Sequence, residues 1–306
     1  MLNIKTSVLN YLDYCKYQKN LNSKTLKAYQ IDLKQFCEYM LTTDMQPSRI
    51  NISNFIIHLN KNYAPKSAKR KIASVKAFFT YLEEEEILSE NPFSRMRMKF
   101  NEPFLLPRTI SLGSLRKMFM TAYENETLVD LSEYQKRSAV RDVAVLELLF
   151  ATGLRVSELC SIKQRDIDLE QGVIRIYGKG AKERMIQITN DLVLTALNNY
   201  RICFGRQMQN NNFFFLNRSG LRLSEQSVRF MIKKYACMAN LPEHITPHMF
   251  RHTFATMLLE EDVDIRYIQQ ILGHSSIVTT QIYTHVAANK QKEILTEKLP
   301  RNRISF

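Results

Sequence analysis

Apolar residues recur at helical spacing through most of the first ninety positions. Over 24–40, Leu26, Tyr29, Leu33, Phe36 and Met40 fall on one face of a helix that Ser23 can cap. Residues 52–59 predict a shorter apolar helix. Pro65 precedes another over 66–82, where Ile72, Val75, Phe79 and Leu82 form a stripe. In that helix Lys66, Lys69, Arg70, Lys71 and Lys76 fall largely elsewhere, and 83–86 is an acidic, solvated end. The periodicity then stops. Pro92, Pro103 and Pro107 are interspersed with Arg95, Arg97 and Lys99, the chemistry of an extended basic strap. The pattern predicts a helical domain over 1–92, a linker over 93–108 and a second domain over 109–306.

In the second part, 111–123 and 139–151 are helical by pattern. Two β-rich runs, 173–177 and 184–188, flank Gly-Lys-Gly-Ala-Lys-Glu, a hairpin signature. Helices follow over 191–200, 224–239 and 265–272. A later stretch, 290–299, carries a short apolar stripe of Ile294, Leu295 and Leu299. The expected class is mainly α with a small antiparallel β-sheet. No apolar run reaches the length of a membrane span, and the first residues lack a signal-peptide core, so a soluble protein is expected.

Charge narrows the choice of partner. The formal net charge is +13, which favours a polyanion. The excess is spread out: residues 1–106 hold 16 Lys and Arg against 10 Asp and Glu, so a single basic tail does not account for it. Five scattered cysteines without a Cys-x-x-Cys pair argue for reduced thiols in the cytoplasm.

Several side chains stand where chemistry is possible. Arg155 follows Gly153 at a junction between helices, where its fork can bind two oxygens of a phosphate. Glu158, three residues on, can hold that fork or a neighbouring imidazole; a plain surface Arg–Glu pair has the same spacing. Lys179 sits between two glycines in the hairpin turn, free to swing to a phosphate, and Lys182 in the same turn is an alternative. His248 and Arg251 are three apart on a helix opened by Thr246 and Pro247, so both face one side near its positive end. His252 raises a metal reading. His-Met-Phe-Arg-His lacks the glutamate of the zinc motif, however, and Arg251 repels a divalent cation, so neither metal nor cofactor is expected. His274 follows Gly273, and Tyr283 falls on the next predicted helix. A phenol ordinarily has a pKa of about 10, so attack by Tyr283 needs cations or a proton acceptor nearby.

Individually these residues say little, but their order is specific. The segments Ala-Thr-Gly-Leu-Arg-Val-Ser-Glu-Leu, Gly-Lys-Gly-Ala-Lys-Glu-Arg, Pro-His-Met-Phe-Arg-His-Thr-Phe-Ala-Thr and Leu-Gly-His-Ser-Ser-Ile-Val-Thr-Thr-Gln-Ile-Tyr-Thr-His-Val resemble the tyrosine recombinases, most closely their compact Xer-like branch. Ser-Lys-Thr-Leu-Lys-Ala-Tyr-Gln-Ile-Asp-Leu extends the likeness to the N-terminal part. The resemblance implies a SAM-like core-binding domain followed by an α+β catalytic domain with a C-terminal tail helix. It implies Arg155 and Arg251 as the phosphate clamp, His248 as general acid/base, Lys179 as the acid for the leaving 5′-oxygen, His274 beside them, and Tyr283 as nucleophile. Double-stranded DNA with short paired sites is the implied partner. The enzyme would act as a homo- or hetero-tetramer, possible associates being a second recombinase or a DNA translocase. Lys66, Lys69, Arg70, Lys76, Arg95 and Arg97 are candidate DNA contacts. A type IB topoisomerase or a DNA-binding regulator on the same fold are the competing readings.

Overall fold

Four amphipathic helices fold around an aromatic core in the N-terminal unit, Met1–Phe104; Leu105–Phe306 form a second unit. The computed structural model describes residues 4–43, 46–94, 96, 107–178 and 183–273. In the first unit, α1 (Ile4–Tyr17), α2 (Ser23–Thr42), α3 (Arg49–Asn62) and α4 (Pro65–Glu84) bury Tyr11, Leu33, Phe36, Phe55, Phe78 and Phe79. The cap of α2 is Asn22, one residue earlier than expected, because its Oδ1 accepts the Thr25 N–H at 2.9 Å. Ser48 caps α3, which extends beyond the predicted 52–59 at both ends. Pro65 opens α4, where its missing N–H costs nothing.

One lysine departs from its expected place. Lys71 is buried on the core side of α4, unlike the exposed Lys66, Lys69, Arg70 and Lys76. Its ammonium donates to Asp32 Oδ1 at 3.2 Å and to Gln35, and lies 4.7 Å from the Tyr63 ring centroid. Asp32, itself buried, also accepts from Arg70 and from Ser74 Oγ at 2.9 Å. A helix can bury a lysine when a carboxylate on the facing helix neutralises it.

The second unit is built around α6 (Glu133–Thr152), whose nearly continuous apolar run from Val143 to Leu149 packs against α5 (Leu112–Thr127), α8 (Asp191–Met208) and α10 (Pro247–Glu260). A helix apolar on most sides belongs in the middle of a core. A reciprocal capping box, Ser132 with Gln135, starts α6 earlier than the apolar pattern suggested. Helix α8 runs on to Met208 because Phe204 and Met208 continue its buried stripe. Between α7 (Val156–Ser161) and α8 lies a three-stranded antiparallel sheet, β1 (Ile167–Asp168), β2 (Val173–Tyr177) and β3 (Glu183–Gln187), in the order β1-β2-β3. The β2–β3 register runs from Val173↔Gln187 to Tyr177↔Glu183. Then come α9 (Glu225–Met238), capped by Ser224, and α11 (Ile265–Leu272), ended by a left-handed Gly273. None of the five cysteines forms a disulfide. No helix among the described residues is long and apolar enough to cross a membrane.

Replacing Asp32 with Ala leaves Lys71 buried without its counter-charge, and stability should fall by about 3 kcal/mol. Urea denaturation of the full chain measures this, and a loss under ~1 kcal/mol would mean that Lys71 escapes to solvent.

Candidate active site

The site is assembled at the C-terminal ends of two helices. Helix α6 stops at Gly153, which takes the left-handed conformation (φ 59°) that a helix end requires. A Cβ there would lie 2.6 Å from Phe254 Cδ1 and 2.9 Å from a Leu272 methyl carbon. Only glycine therefore lets α10 and α11 close onto the turn. The chain leaves Gly153 through Leu154 and reaches Arg155, whose extended backbone is the N-cap of α7.

Arg155 meets Glu158 as the spacing suggested, but the pair is no surface salt bridge. The Glu158 carboxylate is buried and shared. It accepts from Arg155 Nη1 at 2.8 Å, from the Arg155 backbone N–H at 3.0 Å, and from Arg184 Nη1 and Nη2 at 3.2 and 2.8 Å. Burial alone would push the Glu158 carboxyl up; the hydrogen bonds from Arg184 and Arg155, with their charges, outweigh it and hold the pKa below the ordinary carboxylate value. Glu158 is thus an anion that fixes two cations.

Arg251 is the more enclosed clamp candidate. It is 4% exposed. Its Nη1 donates to the Gly153 carbonyl at 2.8 Å and its Nη2 to the Leu272 carbonyl at 2.7 Å. These bonds tie α10 to the ends of both α6 and α11 and set the plane of the guanidinium. Arg155, Arg184 and Arg251 against Glu158 leave three positive charges facing one negative, an electropositive site suited to an anion.

His248 reports where these charges converge. It lies on the exposed side of α10, one turn before Arg251. Partial burial of its ring, then the charges of Arg251, Arg229 and Arg155, lower its pKa below the ordinary 6.5. Burial and three guanidiniums, from α10, α9 and the cap of α7, therefore act together against protonation of one imidazole. His252 is likewise lowered, by burial, His248 and Arg251. No group of three or more His, Cys, Asp or Glu side chains gathers as a metal site among the described residues.

The structure thus brings Arg155, Glu158, His248 and Arg251 together. Lys179, Lys182, His274, Tyr283, Arg95 and Arg97 lie outside the described residues, as does the predicted helix over 290–299. Sequence reasoning assigned no role to Arg184. The signal was present in the alternation of β3: Arg184 shares a face with Ile186, which is buried, and an arginine on a core-facing strand position demands a partner.

A buried acid holding arginines close to the enclosed Arg251 makes a cationic site suited to an anion, in a helical domain with a small sheet. Comparison with known proteins makes this specific. Residues 118–290 match the Phage integrase family, and residues 8–86 match the Phage integrase N-terminal SAM-like domain. The chain is 52% identical to a tyrosine recombinase of Agathobacter rectalis, covering all of both chains. It is 35% identical to tyrosine recombinase XerC of Thermodesulfovibrio yellowstonii, covering 98% of each. In fold it is similar to a XerH site-specific recombinase solved on its palindromic difH substrate, with a TM-score of 0.75, covering 93% of this chain and 83% of that one. The chain belongs to the phage integrase family of tyrosine recombinases, and it is a site-specific recombinase.

Two outcomes test this geometry. Gly153→Ala should cost more than about 2 kcal/mol by denaturant titration, since strain at positive φ adds to the clash with Phe254; a near-neutral effect would contradict the close approach of α10. His248 should titrate below 6.5 by NMR of labelled histidine. The unfolded chain then takes up this proton at higher pH than the folded one. The resulting stability is present above the ordinary histidine pKa and is lost as pH falls through the folded value. A midpoint above 6.5 in the free protein would remove the three arginines from its surroundings.

Proposed function

We propose that this recombinase cuts and rejoins DNA through a 3′-phosphotyrosyl intermediate, with Tyr283 as nucleophile. The observation that carries the reading is the buried Glu158 carboxylate holding Arg155 and Arg184 next to the enclosed Arg251, a set of fixed cations suited to a phosphate. The Tyr283 oxygen forms a bond to the scissile phosphorus while the bond from phosphorus to the 5′-oxygen breaks. His248 takes the phenolic proton, and Lys179 supplies one to the departing 5′-oxygen, with His274 completing the group. Arg155 and Arg251 hold the non-bridging oxygens, and their charge is in place before the transition state develops. Glu158 keeps Arg155 from collapsing onto any other acceptor. A 5′-hydroxyl from a second duplex then attacks the phosphotyrosine, so the phosphate bond energy is conserved and neither metal nor nucleotide is needed.

Strand exchange in this reading proceeds through a Holliday junction held by four protomers on two short sites, in the cytoplasm where the DNA lies. The basic face of α4, with Lys66, Lys69, Arg70 and Lys76, contacts the phosphate backbone, and Arg95 and Arg97 do so from the strap over 93–108 that joins the core-binding domain to the catalytic one. The N-terminal unit supplies one grip on the duplex and the catalytic unit the other. The task is that of a Xer-type resolver of chromosome dimers or of a compact enzyme carried by a mobile element.

Incubation with fragmented genomic DNA, denaturation and sequencing of the protein-bound ends tests both chemistry and task. Wild type should yield adducts at a few recurring sites, at a chromosome terminus or at element ends. Tyr283→Phe should yield none while keeping its affinity for DNA. Arg155→Ala should slow adduct formation by about 10²–10³. Relaxation of supercoils without site preference would instead favour a topoisomerase, and equal DNA binding with no adduct from wild type a regulator.

A further inference from the structure

Arg184 does more than balance Glu158. Its guanidinium reaches in two directions: Nη1 and Nη2 donate to the Glu158 carboxylate, and Nε donates to the Ile271 carbonyl at 2.8 Å. Its side chain is only 12% exposed. Ile271 is in the last turn of α11, a helix of eight residues. Two turns are too few to be stable alone, so the position of α11 depends on what it touches. Ile268 and Leu272 anchor one side in a small cluster with Ala255. At the C-terminal end, Arg184 takes the carbonyl of Ile271 and Arg251 that of Leu272. Two guanidiniums thus satisfy carbonyls that a helix end leaves open, and they sit at the negative pole of its dipole.

Gly273 records the same contact. A Cβ at this position would lie 2.8 Å from Arg184 Nη1 and 3.1 Å from its Cζ, so the guanidinium occupies the space a side chain would need. The left-handed turn at Gly273 and the arginine fit each other. The next residue is His274, and Tyr283 is nine further on. Arg184 itself is the second residue of β3.

We propose that Arg184 is a positioning residue for DNA cleavage: by holding the end of α11 against Glu158, it fixes Gly273, the point from which the sequence continues to His274 and Tyr283. The inference rests on the reading of Tyr283 as the nucleophile. Arg184 does not touch the phosphate. It connects the anion that orients Arg155 to the helix that precedes the nucleophile in sequence, so the clamp and the end of α11 share one support. Lysine cannot replace it, because a single ammonium lacks the fork that spans a carboxylate and a carbonyl at once.

The test uses the full chain and a synthetic duplex carrying a site recovered by adduct mapping. A nick close to the scissile phosphate lets the short 5′-hydroxyl fragment diffuse away, so cleavage is trapped as covalent product. Arg184→Ala should form adduct about a hundredfold more slowly at saturating DNA, the size of effect that a misplacement of ~1 Å produces, with Kd for the duplex within about threefold of wild type. Arg184→Lys, which keeps a cation beside Glu158 and so protects the fold, should still be at least about tenfold slow. A second duplex with sulfur in place of the bridging 5′-oxygen removes the need to protonate the leaving group. The defect should persist on it, because Arg184 acts through α11 and not through Lys179 in the turn. Wild-type cleavage by Arg184→Lys, a defect in Kd alone, rescue by the sulfur substrate, or failure of both variants to fold would each overturn the assignment. Adducts formed by Tyr283→Phe would instead overturn the reading on which it rests.

Discussion

The catalytic unit depends on one buried carboxylate. Glu158 lies where a charge is costly, and it stays ionised because four N–H groups from two arginines point at its two oxygens. Each of those arginines belongs to a different part of the fold. Arg155 caps α7 at the exit from the central helix α6, and Arg184 comes from β3. Removing the acid would leave two guanidiniums repelling each other close to the buried Arg251. The anion is thus what allows several cations to be gathered in one place.

Packing of the backbone provides the second constraint. Gly153 and Gly273 end α6 and α11 in the same left-handed conformation, and each lacks a side chain where a neighbour presses in, Phe254 in one case and Arg184 in the other. Arg251 spans the two ends, taking the carbonyl of Gly153 and that of Leu272. The helix termini, with their exposed carbonyls, are natural acceptors for guanidinium groups. The arginines are therefore held by backbone that cannot move far, which is what a preorganised anion site requires. Partial burial, with the charges of Arg251, Arg229 and Arg155, lowers the pKa of His248 beside them.

The N-terminal unit obeys a simpler logic. An aromatic core of Tyr11, Phe36, Phe55, Phe78 and Phe79 holds four helices, and a single buried ion cluster around Asp32 joins α2 to α4. The exposed lysines of α4 remain on the opposite side from that core.

Much of this was legible along the chain. Periodicity placed most helices, the strand over 173–177 and both ends of α11, because period and capping chemistry are local properties. The order of Arg155, His248, Arg251 and Tyr283, with family-specific neighbours, sufficed to recognise a tyrosine recombinase, since such chemistry needs those groups in the same chain whatever their distance. Other features were decided only in three dimensions. Lys71 looked solvated until Asp32, thirty-nine residues away in sequence, took it into the core. The Arg155–Glu158 pair looked like an ordinary surface contact until Arg184 closed over it from β3. Arg184 itself carried only the faint mark of a charge on a core-facing strand position. In each case the deciding partner is remote in sequence. A buried charge is stable only with that partner in place, so its role is set by tertiary contact and not by the residues beside it.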